Sequence, residues 1–469
     1  MPRWPPGQDG PPGRDVGGVH VGRLRRGVRG HGRTAWIRRG GRPAAVLLAL
    51  GLCGTGLLPA AAASAATGPG AYAFAPGART VEGTASAAGA PRLDPGRVYR
   101  GSLPAHGRLT YRLDLADATA TAYVPVTAVP PAHTEVTSTD GIRVSVRDAH
   151  GTACSFATAR FGAGLSPRPV TALGKREAGR ALCQGAGTYS VLVERLDTGG
   201  ASTPWDLELA PVTEPRLASP GPSDAPRTWD SASPEPITGE ARERAGGAGF
   251  TAARAVGPGV WRTALVPGRT VFYKVPLDWG RRLQASAELG GAPGHGYVGG
   301  ALDLSLYDPV RGLADDVSLG YTGVRKPVAL APLPPVEYAN RYAAPAAVGA
   351  LRFAGDYYLV LHLSERLGDT FGQGPYEVTL RVRVDGRAHA GPGYAGRPRP
   401  AGVFTPTDQD EAAMPIADGG GAGGGGSLEM KAVAAGGIGL GTALLLVLGG
   451  WTLAARRAQT RVSAQKPTA

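Results

Sequence analysis

The fold class this sequence predicts is all-β: two tandem β-sandwich modules filling the middle of a 469-residue chain. Three observations predict it. Short stretches such as VSVR, YSVLVE, YYLVLHL and EVTLRV alternate apolar and polar residues, the pattern of a strand with one face in a core and one in water. No stretch of the same region sustains a helical period. The alternating stretches also come twice, in the same order.

The repeat has four parts. LDPGRVYRGSLPAHGRLTYRLDL (Leu93–Leu115) matches VGPGVWRTALVPGRTVFYKVPLD (Val256–Asp278): Pro-Gly, an aromatic (Tyr99, Trp261), a second Pro, then Gly-Arg opening a strand with Tyr111 or Tyr273. IRVSVRDAHG answers LDLSLYDPVRG, each strand ending at Asp148 or Asp308. GTYSVLVERL answers GDYYLVLHLS, and TPWDLELAPV answers GPYEVTLRVRV. Gly187 and Gly355 stand at the same point of the two copies and set the period. Two modules of this size with seven or eight strands each are best closed as β-sandwiches, over residues 93–212 and 246–386.

Both ends of the chain carry a hydrophobic segment. Ala44–Leu58 follows Arg38, Arg39 and Arg42 and precedes PAAAASAAT, the order of a secretory signal peptide, with cleavage after Ala63 or Ala66. Residues 1–66 are thus expected to be a basic leader and signal peptide, the alternative being a retained membrane anchor that the short apolar core disfavours. Ala432–Ala455 is uncharged throughout and long enough to span a bilayer as one helix. Arg456 and Arg457 follow at once, so the N-terminal side is predicted outside and residues 456–469 form a basic cytoplasmic tail. The expected location is the plasma membrane, crossed once through Ala432–Ala455.

The net charge of +13 suggests nucleic acid until it is divided by position. Ten Arg against two Asp in residues 1–42, with Arg456, Arg457, Arg461 and Lys466 in the tail, account for 12 of those charges. The exterior between them is nearly neutral, and nucleic acid is not an expected partner. Gly 73 and Pro 42 make up about a quarter of the chain, yet only five of 50 basic residues are Lys. That is the codon bias of a high-GC bacterial genome, so only part of the Gly and Pro needs a structural reason. Apart from Cys53 in the leader, two cysteines remain, Cys154 and Cys183, and in an oxidising exterior they are expected to pair.

Between these parts lie segments expected to be loose: linkers at 67–92 and 213–245, and a Gly/Pro-rich stalk at 387–431 holding DGGGAGGGGS. An irregular insert, Ala314–Val348, is expected inside the second module, and its Tyr321, Tyr338 and Tyr342 are the candidate recognition loop. The repeat order is similar to bacterial pre-peptidase C-terminal domains. LVPGRTVFYKVPLDWGRRL also resembles the exterior of actinobacterial membrane-anchored proteins, some of which carry a von Willebrand factor A domain. The resemblance implies jelly-roll-like sandwiches and covers residues 93–212 and 256–386. The metal motif of a von Willebrand A domain is not there, since Asp303-Leu304-Ser305-Leu306-Tyr307 fails at its last position.

No HExxH, GxSxG, Walker loop or dinucleotide fingerprint is present, and the exterior histidines stand singly, with His362 expected to face solvent from its strand. Asp308, Asp315 and Asp316 are the calcium candidates, set against their ordinary role as solvated loop residues; no cofactor is expected. The function these features imply is a non-enzymatic surface protein whose sandwiches contact a protein or glycan of the cell envelope. The alternative is an accessory subunit of a secretion or proteolytic system whose catalytic parts lie on other chains.

Overall fold

The computed structural model describes residues 71–406, apart from 198–202, 225–227, 233–234 and 236. The expected signal peptide, residues 407–431, the expected span Ala432–Ala455 and the expected tail lie outside the described residues. Ten strands build the first module: β1 (Arg79–Thr80), β2 (Tyr99–Leu103), β3 (Arg108–Leu115), β4 (Thr121–Val129), β5 (Gly141–Arg147), β6 (Ala153–Arg160), β7 (Val170–Arg176), β8 (Gly187–Leu196), β9 (Trp205–Leu209) and β10 (Val212–Glu214). Ten more build the second: β11 (Arg242–Glu243), β12 (Arg254–Ala255), β13 (Gly259–Leu265), β14 (Thr270–Leu277), β15 (Arg282–Leu289), β16 (Val298–Tyr307), β17 (Leu313–Tyr321), β18 (Lys326–Ala329), β19 (Gly355–Leu363) and β20 (Tyr376–Asp385).

These strands form four sheets. Sheet I is β3-β8-β5-β6 and sheet II is β1-β2-β9-β4, with β7 and β10 also on β4. Sheet III is β12-β14-β19-β16-β17 and sheet IV is β11-β13-β20-β15-β18. Counting the eight main strands of either module in chain order, one sheet runs 1-8-3-6 and the other 2-7-4-5, the strand order of a jelly roll. All four sequence correspondences fall on equivalent strands: β2–β3 on β13–β14, β5 on β16, β8 on β19 and β9 on β20. The repeat also starts earlier than the sequence suggests. β1 adds to β2 in parallel as β11 adds to β13, and the bridge Thr84–Thr110 answers Gly247–Phe272.

Each sheet pair encloses its own core, because the inward residues of the alternating strands are mostly apolar. Leu109, Tyr111, Leu113, Val144, Val191, Val193, Trp205 and Leu207 fill the first. Trp261, Tyr273, Val275, Leu304, Leu306, Tyr357, Leu359 and Val378 fill the second. Cys154 on β6 and Cys183 after β7 are joined by a disulfide, with Cα atoms 5.6 Å apart. Beside it, the buried Arg176 guanidinium donates to the carbonyls of Ala118, Ala120, Cys183, Gln184 and Gly185 at 2.7–3.1 Å, pinning the loops at that end.

Three segments expected to be loose are packed where they are described. Tyr72 is buried and donates to Glu208, so residues 71–92 are a strap on the first module. Thr213 bridges Arg399, Leu217 bridges Tyr394, and Arg242–Glu243 adds to β13. Phe404 is buried against Phe353, their ring centroids 4.8 Å apart, so residues 387–406 return along the sandwiches rather than form a free stalk. Aromatic side chains offset the ordering cost that Gly and Pro content alone would not.

Sheets II and III lie against each other, giving the layer order I, II, III, IV. Val129, Tyr72 and Phe74 meet Phe272, Tyr307, Tyr358 and Val360 at one part of this seam. Tyr123, Leu173 and Val212 meet Val310, Phe353 and Phe404 at another. Its charges are matched: buried Glu208 accepts from Arg311 at 2.6 Å and from Tyr72 at 3.0 Å. The seam is why YYLVLHL in β19 reads as nearly continuous apolar. Both faces of that strand are buried, and the outward-facing, half-wet reading of it is corrected.

Candidate binding cleft at the seam

A short 3₁₀ turn, Tyr338–Tyr342, carries the exposed part of the predicted recognition loop. It is fixed by Asn340, the chain's one asparagine, whose buried side-chain amide donates to the carbonyls of Pro335 (2.8 Å) and Leu351 (2.7 Å). From this turn the Arg341 guanidinium lies 3.4 Å from the Tyr338 ring centroid and donates to Glu214 at 2.7 Å. Buried Glu214 also accepts from Tyr123 at 2.8 Å and Tyr394 at 3.3 Å, so both modules and the returning C-terminal segment converge on one carboxylate. Next to it, Arg352 donates to Glu177 at 2.8 Å, and Lys175 and Arg180 stand 3.2 and 3.5 Å from the same carboxylate. Burial alone would raise the pKa of Glu177, but Arg352 and Lys175 outweigh it and hold the carboxyl at about 2.

Two cavities open along this network. One, of about 580 Å³, is lined by Tyr338, Tyr342, Glu177, Glu214, Gln184 and Arg216. The other, of about 600 Å³, is lined by Phe156, Lys175, Tyr307, Asp308, Leu313 and Asp316. They meet at Arg180, Arg341 and Arg352, which line both. Volumes of this size suit a small ligand or a few sugar units. The walls are two sandwiches tied by buried ion pairs, so the cleft is preformed.

The predicted site residues divide three ways. Tyr342 is 45% exposed and Tyr338 is half-buried at the cleft. Tyr321 is corrected: it ends β17, is 0% exposed, and donates to the carbonyl of Gly290. About a third of the expected insert is strand, because Leu313–Tyr321 alternates against β16 and Lys326–Ala329 adds to β15. The calcium reading is corrected too. The Asp308 carboxylate is used within its own turn, accepting from Val310 and Gly312 amides at 3.0 and 2.6 Å. Asp315 accepts from the Ala331 amide, and its neighbour Asp316 points to the opposite face of the strand, so the three do not converge. Among the described residues no group of three or more His, Cys, Asp or Glu is placed to hold a metal.

His362, expected in solvent, is 1% exposed in the seam. Its Nδ1 lies 2.9 Å from Thr270 Oγ1 and its Nε2 2.9 Å from Ser166 Oγ, and burial with Arg168 nearby keeps its pKa well below the usual histidine value. A serine beside a histidine invites comparison with a catalytic pair. Here Ser166 is fully buried, already accepts from the Glu365 amide at 3.0 Å, and the group behind the ring is a threonine. The arrangement is a buried hydrogen-bonded clasp between modules. The run of apolar residues in β19 was the one sequence signal that could have found it.

No family model and no curated protein matches this chain. Among solved structures, the CUB1-EGF-CUB2 region of human MASP-1/3 matches with a TM-score of 0.15 at 10% identity, over 61% of this chain and 99% of that one. A putative secreted protein from Parabacteroides distasonis matches with a TM-score of 0.16 at 8% identity, over 63% and 91%. The CBM22-1-CBM22-2 tandem of Paenibacillus barcinonensis Xyn10C matches with a TM-score of 0.15 at 10% identity, over 65% and 100%. At such TM-scores these likenesses carry no argument about ligand or mechanism, and the reading of this chain rests on its own residues.

Proposed function

We propose that the chain is a non-catalytic, single-pass cell-surface protein whose two sandwiches act as one rigid body, binding an envelope glycan in the seam cleft. The observation that carries this reading is the cleft itself. Tyr342 offers a ring at its mouth, and Arg180, Arg341 and Arg352 stand where its two cavities meet. An aromatic platform beside fixed planar donors is the combination that recognises a sugar ring and its hydroxyl groups. The leader and the span Ala432–Ala455 supply the proposed placement, with the sandwiches outside.

Binding of envelope polysaccharide fragments to the full chain, followed by calorimetry, tests it. Tyr342→Ala is expected to weaken binding about tenfold with no change in the thermal midpoint, since an exposed side chain contributes little to stability. Unchanged affinity would remove the cleft from the binding site, and recovery of a tight stoichiometric protein instead would replace the glycan.

A further inference from the structure

The outermost layer of the first module carries a second surface. Sheets II and III cover one another, and residues of the 213–245 segment lie on sheet IV, where Arg282 stacks over Trp229 at 5.2 Å and Arg383 donates to the Glu235 carbonyl. The outer face of sheet I has no such cover among the described residues. Register places its side chains in rows across β3, β8 and β5. Arg112, Ser190 and Arg147 form one row, and Thr110, Leu192 and Ser145 the next, continued by Phe156 on β6. Arg108, Glu194 and Arg143 form the third.

Four arginines therefore frame a buried strip of Thr110, Leu192 and Ser145. β3 and β5 flank β8, so the frame is about 10 Å across and about 13 Å along the strands. Among the described residues no carboxylate lies within 4 Å of the guanidinium of Arg108, Arg143 or Arg147, whereas Arg112 stands 3.5 Å from Asp114. The buried Nε of Arg143 has no hydrogen-bond partner. Phe156, 74% exposed, stands on edge strand β6 at the lip towards the seam. A protein partner would need a broad apolar centre with charges at the rim. This face reverses that layout, with one exposed ring and charges throughout. Repeated anionic groups on an extended chain match it, because each guanidinium offers a planar fork to a carboxylate.

We propose that the outer face of sheet I, through Arg108, Arg112, Arg143 and Arg147, binds a linear acidic polysaccharide, separately from the seam cleft. The full chain is titrated with polygalacturonate and with neutral dextran of similar length. Binding is expected for polygalacturonate alone and should weaken as salt rises. Arg143→Ser and Arg147→Ser should each lower affinity about threefold, and together at least tenfold. The pair Arg143→Lys with Arg147→Lys keeps charge but not the fork, and should fall between. It also serves as the reading if the serine pair does not fold, as judged by thermal midpoint. Tyr342→Ala should leave this binding unchanged even where it weakens binding in the cleft. Equal binding of dextran, wild-type affinity in a folded serine pair, or no binding of polygalacturonate would each overturn the proposal.

Discussion

Sheets I and III are the same layer of the same jelly roll, yet one faces outward bare and the other lies inside the molecule. Their outward positions correspond one to one. Thr110 stands where the second module has Phe272, Ser190 where it has Tyr358, Arg147 where it has Tyr307, and Glu194 where it has His362. Nothing in the strand order distinguishes the two faces. The burial of an aromatic set does: Phe272 packs edge-on to Tyr72 and Phe250, with centroids 5.8 and 5.0 Å away. The inward residues of both copies specify the sandwich, and the outward ones decide what the sandwich meets.

The largest expected effect comes from giving sheet III a residue of sheet I. Phe272→Thr empties a 1%-exposed site at the centre of the seam and should cost about 3–4 kcal/mol. If the seam is what makes the sandwiches one body, urea unfolding should also split into two steps, and hydrogen exchange should rise first around Phe250 and Tyr358. A single cooperative transition with protected seam amides would show that the modules are held by something else. Next in size is a feature only the first module has. Replacing Cys154 and Cys183 by serine opens a loop spanning 29 residues in sequence separation, and the chain-entropy model puts the loss at about 3.5 kcal/mol. That loss should be concentrated in β5, β6 and β8, with β16 and β19 keeping their exchange protection.

The comparison also separates what could be read in the sequence from what could not. The repeat was legible because inward residues such as Tyr111 and Tyr273, or Val191 and Leu359, answer to one physical demand, a dry core. The disulfide was legible from cysteine count and compartment. The seam was not, because it depends on which outward residues meet across two modules, and its one local trace was the apolar run of β19. Tyr321 was misread since β17 is an edge strand whose outward Asp and Ser residues resemble a loop. The straps at 71–92 and 387–406 were misread because their Gly and Pro content hid single anchors, Tyr72 and Phe404, that fix long segments. The candidate cleft was half legible: Tyr338 and Tyr342, named from the sequence, line it, whereas Arg341, Arg352 and Glu177 become meaningful only once the modules meet.

The two remaining tests concern paired positions whose surroundings differ. Asp148 and Asp308 make the same turn, but only Asp308 is sealed in the seam, where burial lifts its carboxyl to about 7 against the opposing pull of its turn amides and Arg352. The folded protein then holds a proton that the unfolded chain releases near pH 4, so this group lowers stability as pH rises from about 4 to 7. Asp308→Asn keeps an acceptor for the turn without the charge. Its stability relative to wild type should rise by about 2–3 kcal/mol between pH 5 and pH 8, as read from urea midpoints; a difference that stays constant between the two pH values would mean that the buried carboxyl ionises freely. The smallest effect is expected at Glu194. Placing there the histidine that its counterpart carries puts an imidazole on the half-buried, wet side of β8 rather than into the His362 clasp. Glu194→His should stay within about 0.5 kcal/mol of wild type, and a larger loss would mean that the bare face of sheet I is held by contacts of its own.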